Sequence, residues 1–154
     1  MKISLILDLI YKSGKNMSQN NKGQSVKKVS IRYIVDDVDE AINFYTKMLD
    51  FKLILHPALE FAIISRNNLI LLLSKPSERE GGGYKMPDGA IQTPGGWNRF
   101  EIEVEDLDAE IQKLKLAGCK FRNEIVVGVS GKQILLQDPS GNLIELFQYY
   151  KERQ

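Results

Sequence analysis

Cysteine and histidine are nearly missing from this chain, with one of each in 154 residues. The lone Cys119 forms no internal disulfide, so a packed core must hold the fold, and the composition suits a reducing, cytoplasmic compartment. Nothing beside Cys119 in sequence activates a thiolate. It reads as a small packed side chain between Gly118 and Lys120. Charge of one sign is also missing: 21 Lys and Arg face 20 Asp and Glu, for a net +1. No strong pull toward nucleic acid or a membrane surface follows from that balance. No apolar run reaches the roughly 18 residues that a spanning helix needs. Nucleic acid and membrane are therefore not expected as partners.

What is present is one domain's worth of ordinary globular composition. The first 28 residues differ from the rest. Met1 to Tyr11 is apolar with one early Lys, but Leu5 to Ile10 is too short for a signal peptide, and no clean cleavage site follows. Ser13 to Lys28 is rich in Lys, Asn, Ser, Gln and Gly, a composition that does not pack. Met17 opens an alternative start. Residues 1–28 are expected to be a disordered extension outside the fold, and residues 149–154 a C-terminal tail.

The chain then repeats itself. Val29 to Ile42, "VSIRYIVDDVDEAI", aligns with Asn98 to Ile111, "NRFEIEVEDLDAEI". Asp37 falls on Asp106 and Ile42 on Ile111. Asn68 to Leu73, "NLILLL", aligns with Asn142 to Phe147, "NLIELF". Each half opens with a strand in which apolar and polar residues alternate. Val29, Ile31, Tyr33 and Val35 oppose Ser30, Arg32 and Ile34; Phe100, Ile102 and Val104 oppose Arg99, Glu101 and Glu103. A helix follows in each half. Asp37 with Glu40 resembles a capping box. Val38, Ala41, Ile42, Tyr45, Met48 and Leu49 recur at helical spacing, as do Leu107, Ile111, Leu114 and Ala117, with Gly118 placed to end the second helix. Further strands are expected near 52–56, 60–65 and 69–74, and near 120–123, 126–129, 133–137 and 143–148. Each half reads as βαβββ, with modules 29–75 and 97–148.

The loop between them, residues 76–96, is rich in Gly and Pro and has no period. A loop this long is usually functional or mobile. Gly81 to Gly83 are not a phosphate loop, because no Lys-Ser/Thr follows at the required spacing.

Two βαβββ modules, the strand-end pattern from Asp36 to Tyr45, and the closing Asp138 to Leu146, "DPSGNLIEL", together resemble the vicinal oxygen chelate superfamily of glyoxalases, bleomycin-resistance proteins and extradiol dioxygenases. The resemblance covers Val29 to Gln148. It implies an α+β fold in which two βαβββ modules form a cupped eight-stranded half-barrel with helices outside. It also implies a ligand site inside the cup and frequent dimers, so a homodimer is expected.

Metal-dependent members carry ligands early in the first strand of a module and in its last strand. The resemblance, carried over by the alignment above, places these positions at Ser30, Leu71, Arg99 and Glu145. Only Glu145 matches. Leucine has no donor, and arginine is a permanent cation. His56, before Pro57, falls at none of the four. No divalent metal and no other cofactor is therefore expected.

Glu145 is still a carboxylate between apolar neighbours, Leu143 and Phe147, on one strand face. Burying such a group is costly unless something pairs with it. A two-bond fork from Arg99 is expected to do so, with Arg32 as competitor. A neighbouring guanidinium stabilises the ionised form, which makes a paired Glu145 a poorer proton acceptor. Glu145 and Arg99 are the candidate catalytic pair. Arg32, Trp97, Asn98, Glu101 and Gln133 are candidate ligand-binding residues, with Leu69, Leu71, Leu135 and Phe147 as apolar wall. Trp97 is suited to stacking on a flat ligand, and the arginines to holding an anionic group. Two functions follow. One is metal-independent binding of a small organic molecule, an anionic one included, in the manner of bleomycin-resistance proteins. The other is an enzyme of the same superfamily, a lyase, isomerase or dioxygenase type.

Overall fold

In the computed structural model, residues 28–78 and 82–151 are described. The expected extension, apart from Lys28, and the end of the expected tail lie outside the described residues. The first module runs β1 (Val29–Ile34), α1 (Val38–Met48), β2 (Lys52–Ala58), β3 (Phe61–Arg66) and β4 (Leu69–Ser74). The second runs β5 (Arg99–Glu103), α2 (Leu107–Leu116), β6 (Lys120–Phe121), β7 (Val126–Val127), β8 (Gly131–Gln137) and β9 (Leu143–Tyr149).

The helices start where the sequence places their caps. The Asp37 carboxylate accepts from the Glu40 amide at 2.8 Å, and the Asp106 carboxylate from the Ala109 amide at 3.0 Å. Each satisfies a donor that the first helical turn leaves free. Helix α1 buries Val38, Ala41 and Tyr45; α2 buries Leu107, Ile111 and Leu114. Gly118 ends α2 with φ +81, a left-handed conformation that glycine adopts without a Cβ penalty.

The sheet orders are the same in both halves: β1-β4-β3-β2 and β5-β9-β8-β6, with β7 also on β8. The first and last strands of each module pair in parallel; the others pair antiparallel. Short strands β6 and β7 share the one flank of β8 that β9 leaves open, so they fill a single strand position. From the Phe121–Leu136 pair to the Val126–Gln133 pair, the outer strand advances five residues while β8 advances three. The first module does the same between the Leu53–Ile64 and Ala58–Phe61 pairs, through two irregularities in β2. Such bulges bend and twist an edge strand, which curls each sheet. At the break in the second module, the Asn123 side chain accepts from the Leu135 amide at 3.0 Å, so no ladder donor is lost. Eight strand positions result, as expected for two βαβββ modules.

One core joins the modules. Tyr33, Val35, Leu71 and Leu73 lie in it with Phe100, Ile102, Ile144 and Leu146. The Tyr33 and Phe100 rings meet at 5.6 Å and those of Phe51 and Phe100 at 6.0 Å. The faces read as apolar, from Ile31 to Val35 and from Phe100 to Val104, pack on the helix side, though Val29 at the strand end is exposed.

The closing turn locks the halves together. Asp138 is buried, and its carboxylate takes four hydrogen bonds: from the Ser140 and Asn142 amides, the Asn142 side chain and the Tyr45 hydroxyl. Asn142 then donates to the Ile34 carbonyl at 2.9 Å and accepts from the Gly95 amide at 2.8 Å. The Tyr33 hydroxyl donates to the Leu143 carbonyl at 2.8 Å. A motif legible as a tight turn is thus also the bolt between α1, β1, the connecting loop and β9. Burial is the largest influence on the Asp138 carboxyl and pushes its pKa up, against the pull of its hydrogen bonds.

Candidate functional site

Strand register decides which side chains share the cup. Arg99 pairs with Leu143, Glu101 with Glu145, and Leu135 with Glu145 on the other side. Paired residues point to one face of a sheet. The cup floor of the second module therefore carries Arg99, Glu101, Leu135 and Glu145. Their intervening neighbours Phe100, Ile134, Ile144 and Leu146 are core.

The same rule corrects the first module. Ser30 pairs with Ile70, Ile31 with Leu71 and Arg32 with Leu72. Leu71 is wholly buried on the helix side, and Leu69 packs against the core there. Neither belongs to the cup wall. The counterpart of Glu145 is Leu72, one residue beyond the position that sequence alignment indicates. The reason is turn length. Strands β3 and β4 are joined by Asn67 and Asn68 alone, whereas β8 and β9 are joined by Asp138 to Asn142. Matching "NLI" to "NLI" across unequal turns shifts the register by one, and one residue reverses the face. The expected apolar wall keeps Leu135 and Phe147; the first module contributes Leu72, Ile70 and Ile63 instead.

A cavity of about 360 Å³ is lined by Trp97, Asn98, Arg99, Glu101 and Glu145. Arg99 Nε donates to Glu145 Oε2 at 2.5 Å, with the Glu145 side chain 11% exposed and that of Arg99 33%. The pairing is that expected from sequence, but it is not a two-bond fork. Arg99 Nη1 turns instead to the Trp97 carbonyl at 3.2 Å. One guanidinium thus ties β9 to the segment entering β5. Trp97 is 65% exposed, and the Arg122 guanidinium lies 5.3 Å from its ring centre, within cation–π range. Nothing local in the sequence links Arg122 to Trp97; the break between β6 and β7 brings it there.

Glu101 accepts a long bond, 3.4 Å, from the Tyr149 hydroxyl. The Glu101 charge is the largest of the influences that hold the Tyr149 phenol above its usual range. Gln133 shares the cup face through its pairing with Phe147 but does not line the cavity. Arg32 stands on the other sheet. Its Nη1 donates to Ser74 Oγ at 2.5 Å, and its guanidinium lies 6.0 Å from the Phe61 ring centre. Burial lowers its pKa.

The family's metal positions are now Ser30, Leu72, Arg99 and Glu145. Leu72 offers no donor, Arg99 is a cation already bonded to Glu145, and a hydroxyl and one carboxylate are too few for a divalent site. Among the described residues no group of three His, Cys, Asp or Glu is placed to hold a metal ion. His56 lies away from these positions, with Nδ1 3.7 Å from Asp39.

Two curled βαβββ sheets enclosing a polar cup define a class, and sequence comparison agrees. Residues 28–146 match the model of the Glyoxalase/Bleomycin resistance protein/Dioxygenase superfamily. The chain belongs to that superfamily. Solved structures share the fold. A superfamily member from Sphaerobacter thermophilus is 23% identical, with a TM-score of 0.63, over 80% of this chain and 98% of that one. A lactoylglutathione lyase from Agrobacterium tumefaciens is 17% identical, with a TM-score of 0.59, over 83% and 96%. TnmS3, an antibiotic binding protein from a Streptomyces species, is 21% identical, with a TM-score of 0.60, over 84% and 100%. Among curated proteins, none matches the chain. Among the described residues no helix is long and apolar enough to cross a membrane.

Proposed function

We propose that this chain binds a small organic molecule in the cup beside Trp97 and does so without a divalent metal. One observation carries the reading: the Arg99 guanidinium is bonded to Glu145, so the only carboxylate at a family metal position is already neutralised by a protein cation. The cavity joins an exposed aromatic ring to a few convergent polar groups, the usual composition of a small-molecule site. A fold neighbour that binds an antibiotic is consistent with a binding role. The protein acts in the cytoplasm as a homodimer on this reading.

Glu101 favours a second reading, a lyase or isomerase of the same superfamily. It lines the cavity and makes no ion pair among the described residues, so its carboxylate is open to a bound substrate.

The test is calorimetric titration of metal-stripped protein with Ni, Zn, Mn and Fe(II), beside a small-molecule screen read by fluorescence of Trp97, the only tryptophan. The expected result is no stoichiometric metal binding and ligand binding that persists in chelator. Stoichiometric metal binding that is lost in Glu145→Gln overturns the reading.

A further inference from the structure

A guanidinium carries five N–H donors, and a carboxylate has two acceptor oxygens. The pair that lines the cavity beside Trp97 uses only part of that capacity. Arg99 Nε donates to Glu145 Oε2, and Arg99 Nη1 to the Trp97 carbonyl. Neither side chain makes another hydrogen bond or ion pair among the described residues. Two of the five Arg99 donors are thus used and three are left, both on Nη2 and one on Nη1. The Glu145 Oε1 acceptor is left as well. Oε1 is not sealed inside the protein: among the described residues, the one side-chain polar atom buried without a partner is His56 Nε2. Glu145 lines the cavity, so Oε1 opens into it.

The two charges of the pair cancel, so what it offers a ligand is a donor beside an acceptor. Asn98 lines the same cavity, and its side-chain amide makes no hydrogen bond among the described residues. Arg122 lies over the Trp97 ring; an indole has two faces, so the exposed ring keeps one for a flat ligand. Glu101, paired in register with Glu145, disfavours an anion in this cavity. The first module offers nothing equivalent. Leu72 stands where the second module has Glu145, and the Gly82 backbone passes so close to Arg32 that a Cβ there would overlap the guanidinium.

We propose that the cup takes a flat, neutral heterocycle in which a ring N–H adjoins a C=O, the lactam edge of a pyrimidinone or a purinone. Its ring lies on Trp97, its C=O accepts from Arg99, and its N–H donates to Glu145 Oε1. The proposal rests on the metal-free binding reading above and names its ligand class. A purely apolar ring would cover the leftover donor and acceptor and give them no partner, whereas a lactam edge satisfies both at once.

The experiment uses the full, metal-free chain. The probes are hypoxanthine and uracil, their blocked forms 1-methylhypoxanthine and 1,3-dimethyluracil, which keep the C=O and lose the N–H beside it, and benzylamine, a cation suited to Glu101 alone. Binding is followed by Trp97 fluorescence and calorimetry. At least one lactam is expected to bind about tenfold or more tighter than its methylated form and than benzylamine, the size of one hydrogen bond to a charged group. Glu145→Gln tests the acceptor. The Gln carbonyl must keep the bond from Arg99 Nε, which turns its NH₂ to the position of Oε1. An acceptor becomes a donor in the same volume, and the preference for the unmethylated probe is expected to vanish. Circular dichroism checks that the variant is folded, and the comparison of probes on the wild type stands without it. Equal binding of blocked and unblocked probes, tighter binding of benzylamine, no binding of either lactam, or an unchanged preference in folded Glu145→Gln overturns the proposal. Those outcomes leave metal-free binding of another ligand standing, because that reading falls on a different result, metal binding lost in Glu145→Gln.

Discussion

Replacing Asp138 with alanine removes the acceptor of four hydrogen bonds at a site only 4% exposed. Two backbone amides, the Asn142 side chain and the Tyr45 hydroxyl lose their partner together. Each net hydrogen bond is worth about 1 kcal/mol, and a buried group left without one costs about 1–3 kcal/mol. Some of the four will find water through the vacated space, so a loss of about 3–5 kcal/mol is expected, a large share of the ~5–15 kcal/mol that holds a domain of this size. Asp138→Asn keeps an acceptor for the two amides but sets an NH₂ against that of Asn142. It should lose about 1–3 kcal/mol. Urea unfolding measures both, with unchanged slope as the check that only stability moved. The two variants also separate a charge effect. Burial raises the Asp138 pKa in the fold, so between the unfolded and folded values the folded state holds the extra proton. That contribution is full below the unfolded value and is lost as pH rises through the folded one. The advantage of the wild type over Asp138→Asn is therefore expected to shrink as pH rises through the acid range. A loss under ~0.5 kcal/mol in Asp138→Ala, the size of an ordinary surface change, would refute the argument that this turn bolts the modules together.

The register correction has its own test. Leu71→Glu places an unpaired carboxylate in the core and should prevent folding, while Leu72→Glu, half-buried in the cup, should cost roughly 1 kcal/mol; circular dichroism melts distinguish them, and the reverse order would return Leu71 to the cup. Gly118→Ala meets no neighbouring atom but must hold φ +81, so a loss of about 1–2 kcal/mol in urea is expected from backbone strain alone. Arg99→Met leaves Glu145 11% exposed without its cation and frees the Trp97 carbonyl; a lower urea midpoint together with altered Trp97 emission is expected, and an unchanged midpoint would mean that the pair contributes nothing measurable.

Local regularities carried most of the fold. Alternation in Val29 to Val35 and Phe100 to Val104, helical spacing after Asp37 and Asp106, and the repeat itself are short-range signals that burial later obeys. The Arg99–Glu145 pairing was legible too, because a carboxylate between Leu143 and Phe147 requires a partner and Arg99 stood on the facing strand of the motif. Register across unequal turns was not legible. Whether Leu71 or Leu72 faces the cup depends on how many residues the turns at Asn67 and at Asp138 consume, and a period of two turns one residue's error into the opposite face. Asp138, Asn142, Tyr45 and Tyr33 form a network between residues about a hundred positions apart, for which no sequence window holds a signal. Arg122 over Trp97 and Gly82 over Arg32 are of the same kind. Sequence by itself determined the modules, their helices and the chemistry on offer in the cup, since these follow from spacing along one chain. Only tertiary structure decided which side chains share the cup face and how their charges pair, because that depends on distances between strands far apart in sequence.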